Sequence, residues 1–105
     1  MTAEHKIQND IRVAVSEHGD RIFRANVGKV KMDNGRWFDT GLPGGFPDLF
    51  GFRKRDGKMF FIECKNEHGR LRHDQKQFAV AIKNYPVLYG VAKSVEDALR
   101  IVEET

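Results

Sequence analysis

Hydrophobic side chains recur at helical spacing in three segments of the chain. The first segment is followed by Gly19, a residue that commonly ends helices, which predicts a helix over residues 3–18. The second stripe ends before Pro86. The third begins directly after Ser94, which together with Asp97 resembles a helix-capping box. The stripes comprise Ile7, Ile11, Ala14 and Val15, then Phe78, Ile82 and Tyr85, and then Val95, Ala98, Leu99 and Val102.

Four other runs are rich in β-branched and aromatic residues and predict strands. They span residues 21–27, 48–54, 58–65 and 87–91, and the third is apolar on both faces, as expected of a central strand. Residues 28–38 contain Asp33-Asn34-Gly35 and predict a projecting hairpin. The order of elements predicts an α/β fold, a mixed sheet flanked by helices, in one domain over residues 1–105.

Composition narrows the class of protein. The chain is 40% apolar and 31% charged and has no run long or apolar enough to span a bilayer, so we expect a soluble protein without membrane contact. The amino terminus lacks the features of a secretory signal, and Cys64 cannot form an internal disulfide. These features favour a reducing cytoplasm.

The positive charge is concentrated in the middle of the chain. The formal net charge is +3, but residues 21–37 and 53–76 each carry +4, whereas residues 1–20 carry −2 and residues 77–105 carry −1. Such clustering is typical of a surface that meets phosphates, and a solvated polar face explains it about as often.

The segment from Asp48 to Lys65 predicts a hairpin that gathers charged residues on one face. If Asp56-Gly57 form a two-residue turn, Phe50 lies opposite Glu63 and Asp48 lies opposite Lys65. Strand alternation then places Asp48, Glu63 and Lys65 on the same face, where two carboxylates can reach one ion. The alternative is an ordinary ion pair between Lys65 and either carboxylate at the end of the hairpin.

Two predicted helices also turn polar residues inward. Glu4 and Gln8 lie on the apolar stripe of the first helix, and Gln75 precedes Phe78 by three residues. These side chains suggest one polar pocket shared with the hairpin. Alternatively, Glu4 is a first-turn carboxylate favoured by the helix dipole, and Gln75 is exposed.

Other candidate chemistries are weaker. The four histidines lack the spacing of a zinc site, and Cys64 is expected on the opposite face from Glu63 as a small core residue. The glycine-rich residues 41–45 lack the lysine of a nucleotide loop and suit a tight turn or a close approach to DNA. Trp37 and Phe38 suit stacking on bases, core packing or a subunit contact equally well.

The motifs resemble those of a known superfamily. Gly45-Phe46-Pro47-Asp48, then Glu63-Cys64-Lys65 and then Gln75 opening a helix, looks like the PD-(D/E)XK nucleases, and more narrowly the VRR-NUC family. The resemblance covers nearly the whole chain and implies a restriction-endonuclease-like core. One departure is that residues 71–74 lack the Ser-Pro type of start that family members often have before the glutamine helix.

The resemblance implies a DNA endonuclease that depends on Mg²⁺ or Mn²⁺. Asp48 and Glu63 offer the hard oxygen ligands such ions prefer, and the resemblance adds the Cys64 carbonyl, with Glu4 as a further candidate. It implies that Lys65 orients the attacking water and stabilises developing charge, and that Gln75 holds a phosphate or the water.

The expected DNA contacts and assembly follow from charge and size. We expect a homodimer that cuts four-way junctions; the alternatives are a monomeric flap or nonspecific nuclease and a noncatalytic nucleic-acid-binding protein. The expected phosphate-binding residues are Lys29, Lys31, Arg36, Arg53, Lys54, Arg55, Arg70 and Arg72.

Overall fold

The computed structural model describes residues 2–104, which form three helices and six strands. Helix α1 (Ala3–His18) begins where the Thr2 hydroxyl accepts a hydrogen bond from His5 N and ends at Gly19, whose φ of 108° lies in the left-handed region. Helix α2 spans His73–Ile82, and helix α3 spans Val95–Glu103. Ser94 Oγ accepts a hydrogen bond of 3.1 Å from Asp97 N, which confirms the predicted cap of α3.

The strands form a four-stranded mixed sheet and a separate hairpin. The main sheet has the order β1-β4-β5-β6; its first three strands are antiparallel neighbours, whereas β5 and β6 are parallel. The hairpin pairs β2 with β3. The bounds are β1 (Arg21–Arg24), β2 (Lys29–Lys31), β3 (Trp37–Asp39), β4 (Leu49–Phe52), β5 (Met59–Cys64) and β6 (Leu88–Ala92).

The two faces of the main sheet carry different side chains because alternate residues of β5 point to opposite faces. Phe60 and Ile62 pack in the aliphatic core beneath α1 and α3. Phe61, on the other face, stacks edge-on against Phe78 of α2, with ring centroids 5.6 Å apart. The sheet is therefore flanked by helices on both faces, which confirms the predicted fold class.

The predicted register of the β4–β5 hairpin is wrong by two residues. Phe50 lies opposite Phe61, not Glu63, because a four-residue loop replaces the expected two-residue turn. Arg53 N donates to Lys58 O, and Gly57 N donates back to Arg53 O, which closes the longer loop. A shift of two residues keeps every side chain on its predicted face, since the strand period is two.

Two boundaries also differ from the sequence prediction. Helix α2 ends at Ile82, so Tyr85 lies outside it and is exposed rather than part of its apolar stripe. Strand β1 ends at Arg24, three residues before the predicted end. Among the described residues, no helix has the length and apolar character required to cross a membrane.

Candidate active site

Asp48 is positioned by the loop that leads into β4. Gly45 packs so closely on the first turn of α2 that a Cβ atom there would lie 2.3 Å from the carbonyl oxygen of Asp74. The glycine-rich segment thus turns tightly against the protein, one of the two roles expected for it. Asp48 Oδ2 accepts a hydrogen bond of 2.9 Å from Cys64 N, which ties the start of β4 to the end of β5.

Glu63 is a carboxyl buried beside Asp48. Its side chain is 1% exposed, and its Oε2 has no hydrogen-bond partner among the described residues. Burial raises the pKa of Glu63 to about 9, and the adjacent Asp48 carboxyl adds to the rise, whereas the charges of Lys65 and Arg72 oppose it. Without a cation, this site therefore favours a protonated Glu63 at neutral pH.

Lys65 lies at the end of the same strand, on the same face as Glu63 by strand alternation. Only 7% of the residue is exposed, and Gly69 of the following loop lies over its aliphatic stem. Within residues 2–104, Lys65 forms no salt bridge with a carboxylate, so the structure does not show the ordinary ion pair considered as the alternative. Its ammonium group is thus available to another anion.

Gln75 lies in the first turn of α2, the helix that packs on the same face of the sheet as the candidate site. It is 4% exposed, so the alternative of an exposed first-turn residue is wrong. Its Oε1 accepts a hydrogen bond of 2.8 Å from Arg72 N, which caps α2 and fixes the carboxamide. The exposed Arg72 is close enough to lower the pKa of Glu63.

The first helix brings two polar residues to this end of the sheet. Glu4 is half-buried, and its charge helps to raise the pKa of the Cys64 thiol, although burial of that thiol is the larger cause. Gln8 is buried and lines a cavity of about 280 Å³ with Asp48. Cys64 itself belongs to the core on the other face of the sheet, as the strand pattern predicted.

Two neighbours of the site are absent from the sequence prediction. Arg24 lines the same cavity as Gln8 and Asp48, because antiparallel pairing of β1 with β4 places Arg24 opposite Leu49. Tyr89 lies in β6, and burial, followed by the charges of Glu63 and Asp48, raises its pKa to about 12. Both positions depend on strand pairings between distant segments, so no local pattern marks them.

The basic β4–β5 loop lies away from these residues. Five residues of extended chain separate Asp48 from Arg53, roughly 16 Å at the usual rise of a strand. Two larger cavities, of about 440 and 640 Å³, are at that end, and both are lined by Asp20, Arg53 and Lys54. We place the candidate site at the cavity of about 280 Å³, because Asp48 lines it and the buried Glu63 lies beside Asp48.

Arg53 is a structural residue, which corrects its assignment as a phosphate ligand. It is 4% exposed, and its guanidinium donates to both carboxylate oxygens of Asp56, at 3.1 and 2.6 Å. It also donates to the carbonyl oxygens of Val102 and Glu104. These bonds occupy four of the five guanidinium N–H donors and hold the group inside the fold. Lys54 and Arg55 remain exposed at the same loop.

The remaining basic candidates are exposed nearer the carboxylates. The β2–β3 hairpin carries Lys29, Lys31 and Arg36, and its Val30 lines the cavity that contains Asp48. Arg70 and Arg72 precede α2 and are exposed as well. Trp37 and Phe38 are 64% and 57% exposed, so the alternative that they pack in the core is wrong.

The carboxyl pair fits a hard divalent cation better than a zinc cage. No group of three or more His, Cys, Asp or Glu side chains arranged for a metal occurs in the described part of the chain. Mg²⁺ commonly takes one or two carboxylates and completes its shell with water and substrate oxygens. The unpartnered Oε2 of Glu63, beside Asp48, is suited to such an ion.

Comparisons with known proteins indicate the family to which the chain belongs. The family profile of the VRR-NUC domain matches residues 3–96. A solved structure described as a VRR_NUC domain has the same fold, with a TM-score of 0.72 and 19% sequence identity over 99% of this chain and 98% of that chain. No curated protein sequence matches significantly. The chain therefore belongs to the VRR-NUC domain family and is a nuclease-type domain.

Proposed function

We propose that this nuclease domain is a metal-dependent DNA endonuclease that hydrolyses phosphodiester bonds with Mg²⁺ or Mn²⁺. The observation that carries the proposal is the buried Glu63, which lies beside Asp48 with an unpartnered oxygen. Burying the Glu63 carboxylate beside a second carboxylate without a cation is costly, and a divalent ion compensates that cost.

Asp48, Glu63 and the carbonyl of Cys64 would hold the ion, with Glu4 as a further ligand or support. When bound, a divalent ion supplies an activated water and offsets the charge that grows on the phosphate. The backbone N–H of Cys64 orients Asp48 for this role.

Lys65 and Gln75 act on the substrate and the water. Lys65 is buried and its ammonium has no carboxylate partner among the described residues, so it is free to orient the attacking water and to stabilise the developing phosphoryl charge. Gln75 is held by its bond from Arg72 N, and its carboxamide presents a fixed polar group to the phosphate or the water.

DNA lies across the end of the sheet where β4 begins. Cations exposed near that end come from the hairpin and from the segment before α2, and they supply contacts to phosphates. They are Lys29, Lys31, Arg36, Arg70 and Arg72. We add Arg24, which is exposed and lines the cavity with Asp48. Lys54 and Arg55 meet DNA only if an arm of the substrate reaches the far end of the sheet.

The working unit is a homodimer that cuts branched DNA such as four-way junctions. The β2–β3 hairpin forms its own two-stranded sheet and exposes Val30, Met32, Trp37 and Phe38. An isolated two-stranded hairpin is marginal in water, so pairing with a second copy would bury this surface. Two copies related by a twofold axis match the symmetry of a junction and supply two sites for paired nicks.

A cleavage assay with matched substrates tests the proposal. Labelled flap, nicked, linear and four-way substrates are incubated with Mg²⁺ or Mn²⁺, with chelator and with a Glu63→Gln variant. We expect divalent-dependent cutting, greatest on the four-way substrate, and no cutting by the variant. Binding without cutting in any metal would favour a noncatalytic nucleic-acid-binding protein. Equal cutting of flaps and junctions would favour the monomeric nuclease.

A further inference from the structure

The hydroxyl of Tyr89 is a second buried polar group without a partner at the candidate site. Glu63 Oε2 and Tyr89 Oη are the two side-chain atoms in the described chain that are buried without a hydrogen bond. Unsatisfied buried polar atoms are uncommon in folded proteins and usually indicate a missing water, ion or ligand. The carboxylate oxygen of Glu63 accepts hydrogen bonds, and the hydroxyl of Tyr89 can donate one.

The fold brings these two groups to the same face of the sheet. Strand β6 runs parallel to β5, with Tyr89 beside Phe61 and Val91 beside Glu63. Tyr89 and Glu63 are therefore diagonal neighbours on adjacent strands. The charges of Glu63 and Asp48 both contribute to the raised pKa of the Tyr89 phenol, so the two carboxyls lie near its hydroxyl. Phe78 packs against the Tyr89 ring, with centroids 6.2 Å apart, and confines it over this face.

We propose that Tyr89 is a positioning residue whose hydroxyl donates a hydrogen bond through one water to Oε2 of Glu63 and holds that carboxylate for a divalent cation. The inference rests on the proposed metal-dependent function. Groups that hydrogen-bond a metal-binding side chain orient it, and their loss commonly weakens metal affinity by about tenfold or more. Tyr89 itself touches neither the ion nor the DNA.

A Tyr89→Phe substitution separates this role from packing. The variant keeps the ring against Phe78 and removes only a hydroxyl that lacks a partner, so we expect thermal stability without metal to be unchanged or slightly higher. We expect calorimetric affinity for Ca²⁺, which is measured without turnover, to fall by about tenfold. The chain has two tyrosines, and Tyr85→Phe at the exposed one is the matched control, with unchanged affinity.

A spectroscopic probe reports on the hydroxyl directly. In the Tyr85→Phe protein labelled with fluorotyrosine, the single ¹⁹F resonance belongs to Tyr89. We expect addition of Ca²⁺ to shift it, and we expect no shift when Glu63→Gln is also present.

The outcomes distinguish the inference from the proposed function. Wild-type affinity for Ca²⁺ in Tyr89→Phe, or an unmoved resonance while calorimetry shows metal binding, would overturn the role of Tyr89 and leave the nuclease assignment standing. A wild-type protein that neither binds divalent ions nor cuts DNA would overturn both.

Discussion

At the scale of single residues, the candidate site depends on charged groups that the fold buries at a cost. Glu63, Lys65 and Gln75 are almost inaccessible to solvent, although charged and amide side chains usually remain exposed. The sequence indicated Glu63 and Lys65 because a charge interrupts an apolar strand at alternate positions. It did not indicate Tyr89 or Arg24, since an aromatic or basic residue in a strand is ordinary until its neighbours are known.

Substitution of the charged residues of the candidate site should separate catalysis from binding. We expect Asp48→Asn, Glu63→Gln and Lys65→Ala each to lower the cleavage rate at least about a hundredfold, because each acts on the ion, the water or the developing charge. Affinity for DNA should change little, since phosphate contacts made elsewhere dominate it. Single-turnover cleavage and filter binding measure the two effects. Lys54→Ala is the control, as its exposed side chain lies at the far end of the sheet.

Glu63 should also make the stability of the metal-free protein depend on pH. Burial raises its pKa from 4.5 to about 9 in the folded state, so the unfolded chain releases the proton first as pH rises. The folded state is then progressively disfavoured between these two values. Relative to Glu63→Gln, we expect the free energy of unfolding of wild type to fall by up to about 1.4 kcal/mol per pH unit.

Denaturant unfolding of wild type and of Glu63→Gln, in the presence of chelator at about pH 6 and at about pH 8, measures this difference in the free energy of unfolding. Addition of Mg²⁺ should restore the stability of wild type alone, because an ion that binds only the folded state stabilises it. Equal pH dependence in both proteins would contradict the assigned protonation of Glu63.

At the scale of elements, the helices could be predicted from their hydrophobic spacing and capping residues, whereas the pairing of the strands could be predicted only in part. Helix α1 matched its prediction at both ends because a long amphipathic stripe is bounded by Thr2 and Gly19. The β4–β5 register was missed by two residues because Asp-Gly is common in several turn types. The buried guanidinium of Arg53 bonds to Asp56 and to the end of α3, and these contacts stabilise the longer loop.

This loop gives a stability prediction. We expect Arg53→Ala to lower the free energy of unfolding by about 2 to 3 kcal/mol, because the carbonyl of Val102 and the Asp56 carboxylate lose their donor. Urea denaturation checks the value, and Lys54→Ala should change it by less than about 0.5 kcal/mol. The salt dependence of DNA binding should be the same in Arg53→Ala as in wild type, since Arg53 is buried and four of its five N–H donors are already bonded. A flatter dependence in Arg53→Ala, in protein shown to be folded, would return Arg53 to the DNA surface.

At the scale of the whole molecule, the carboxyl pair and an exposed apolar hairpin lie at the same end of the sheet. Val30 of the hairpin lines the cavity that contains Asp48. A second copy joined through this hairpin would therefore hold its own site near the first. The sequence showed the hairpin through its Asn-Gly turn and apolar positions, but its exposure depends on the absence of a packing partner in the rest of the described fold.

The exposed hairpin leads to a prediction about how the protein assembles. We expect wild type to sediment as a dimer at micromolar concentration, and a Trp37→Ser, Phe38→Ser double variant to sediment as a monomer, because it loses the two most exposed aromatic side chains of the hairpin. Tyr85→Ser is the control, since Tyr85 is 62% exposed but lies outside the hairpin. The double variant should still nick DNA, because the site residues are untouched.

Paired nicking decides whether such a dimer matters for function. A dimer places two sites on one junction, so wild type should cut both strands of a four-way substrate within one binding event, whereas the double variant should release singly nicked junctions. A supercoiled plasmid that extrudes a cruciform distinguishes these products as linear and nicked circles. If wild type is a monomer that cuts flaps as well as junctions, one strand at a time, the dimer proposal is wrong. The hairpin would then be a DNA contact of a monomeric nuclease, and the roles of Asp48, Glu63 and Lys65 would be unaffected.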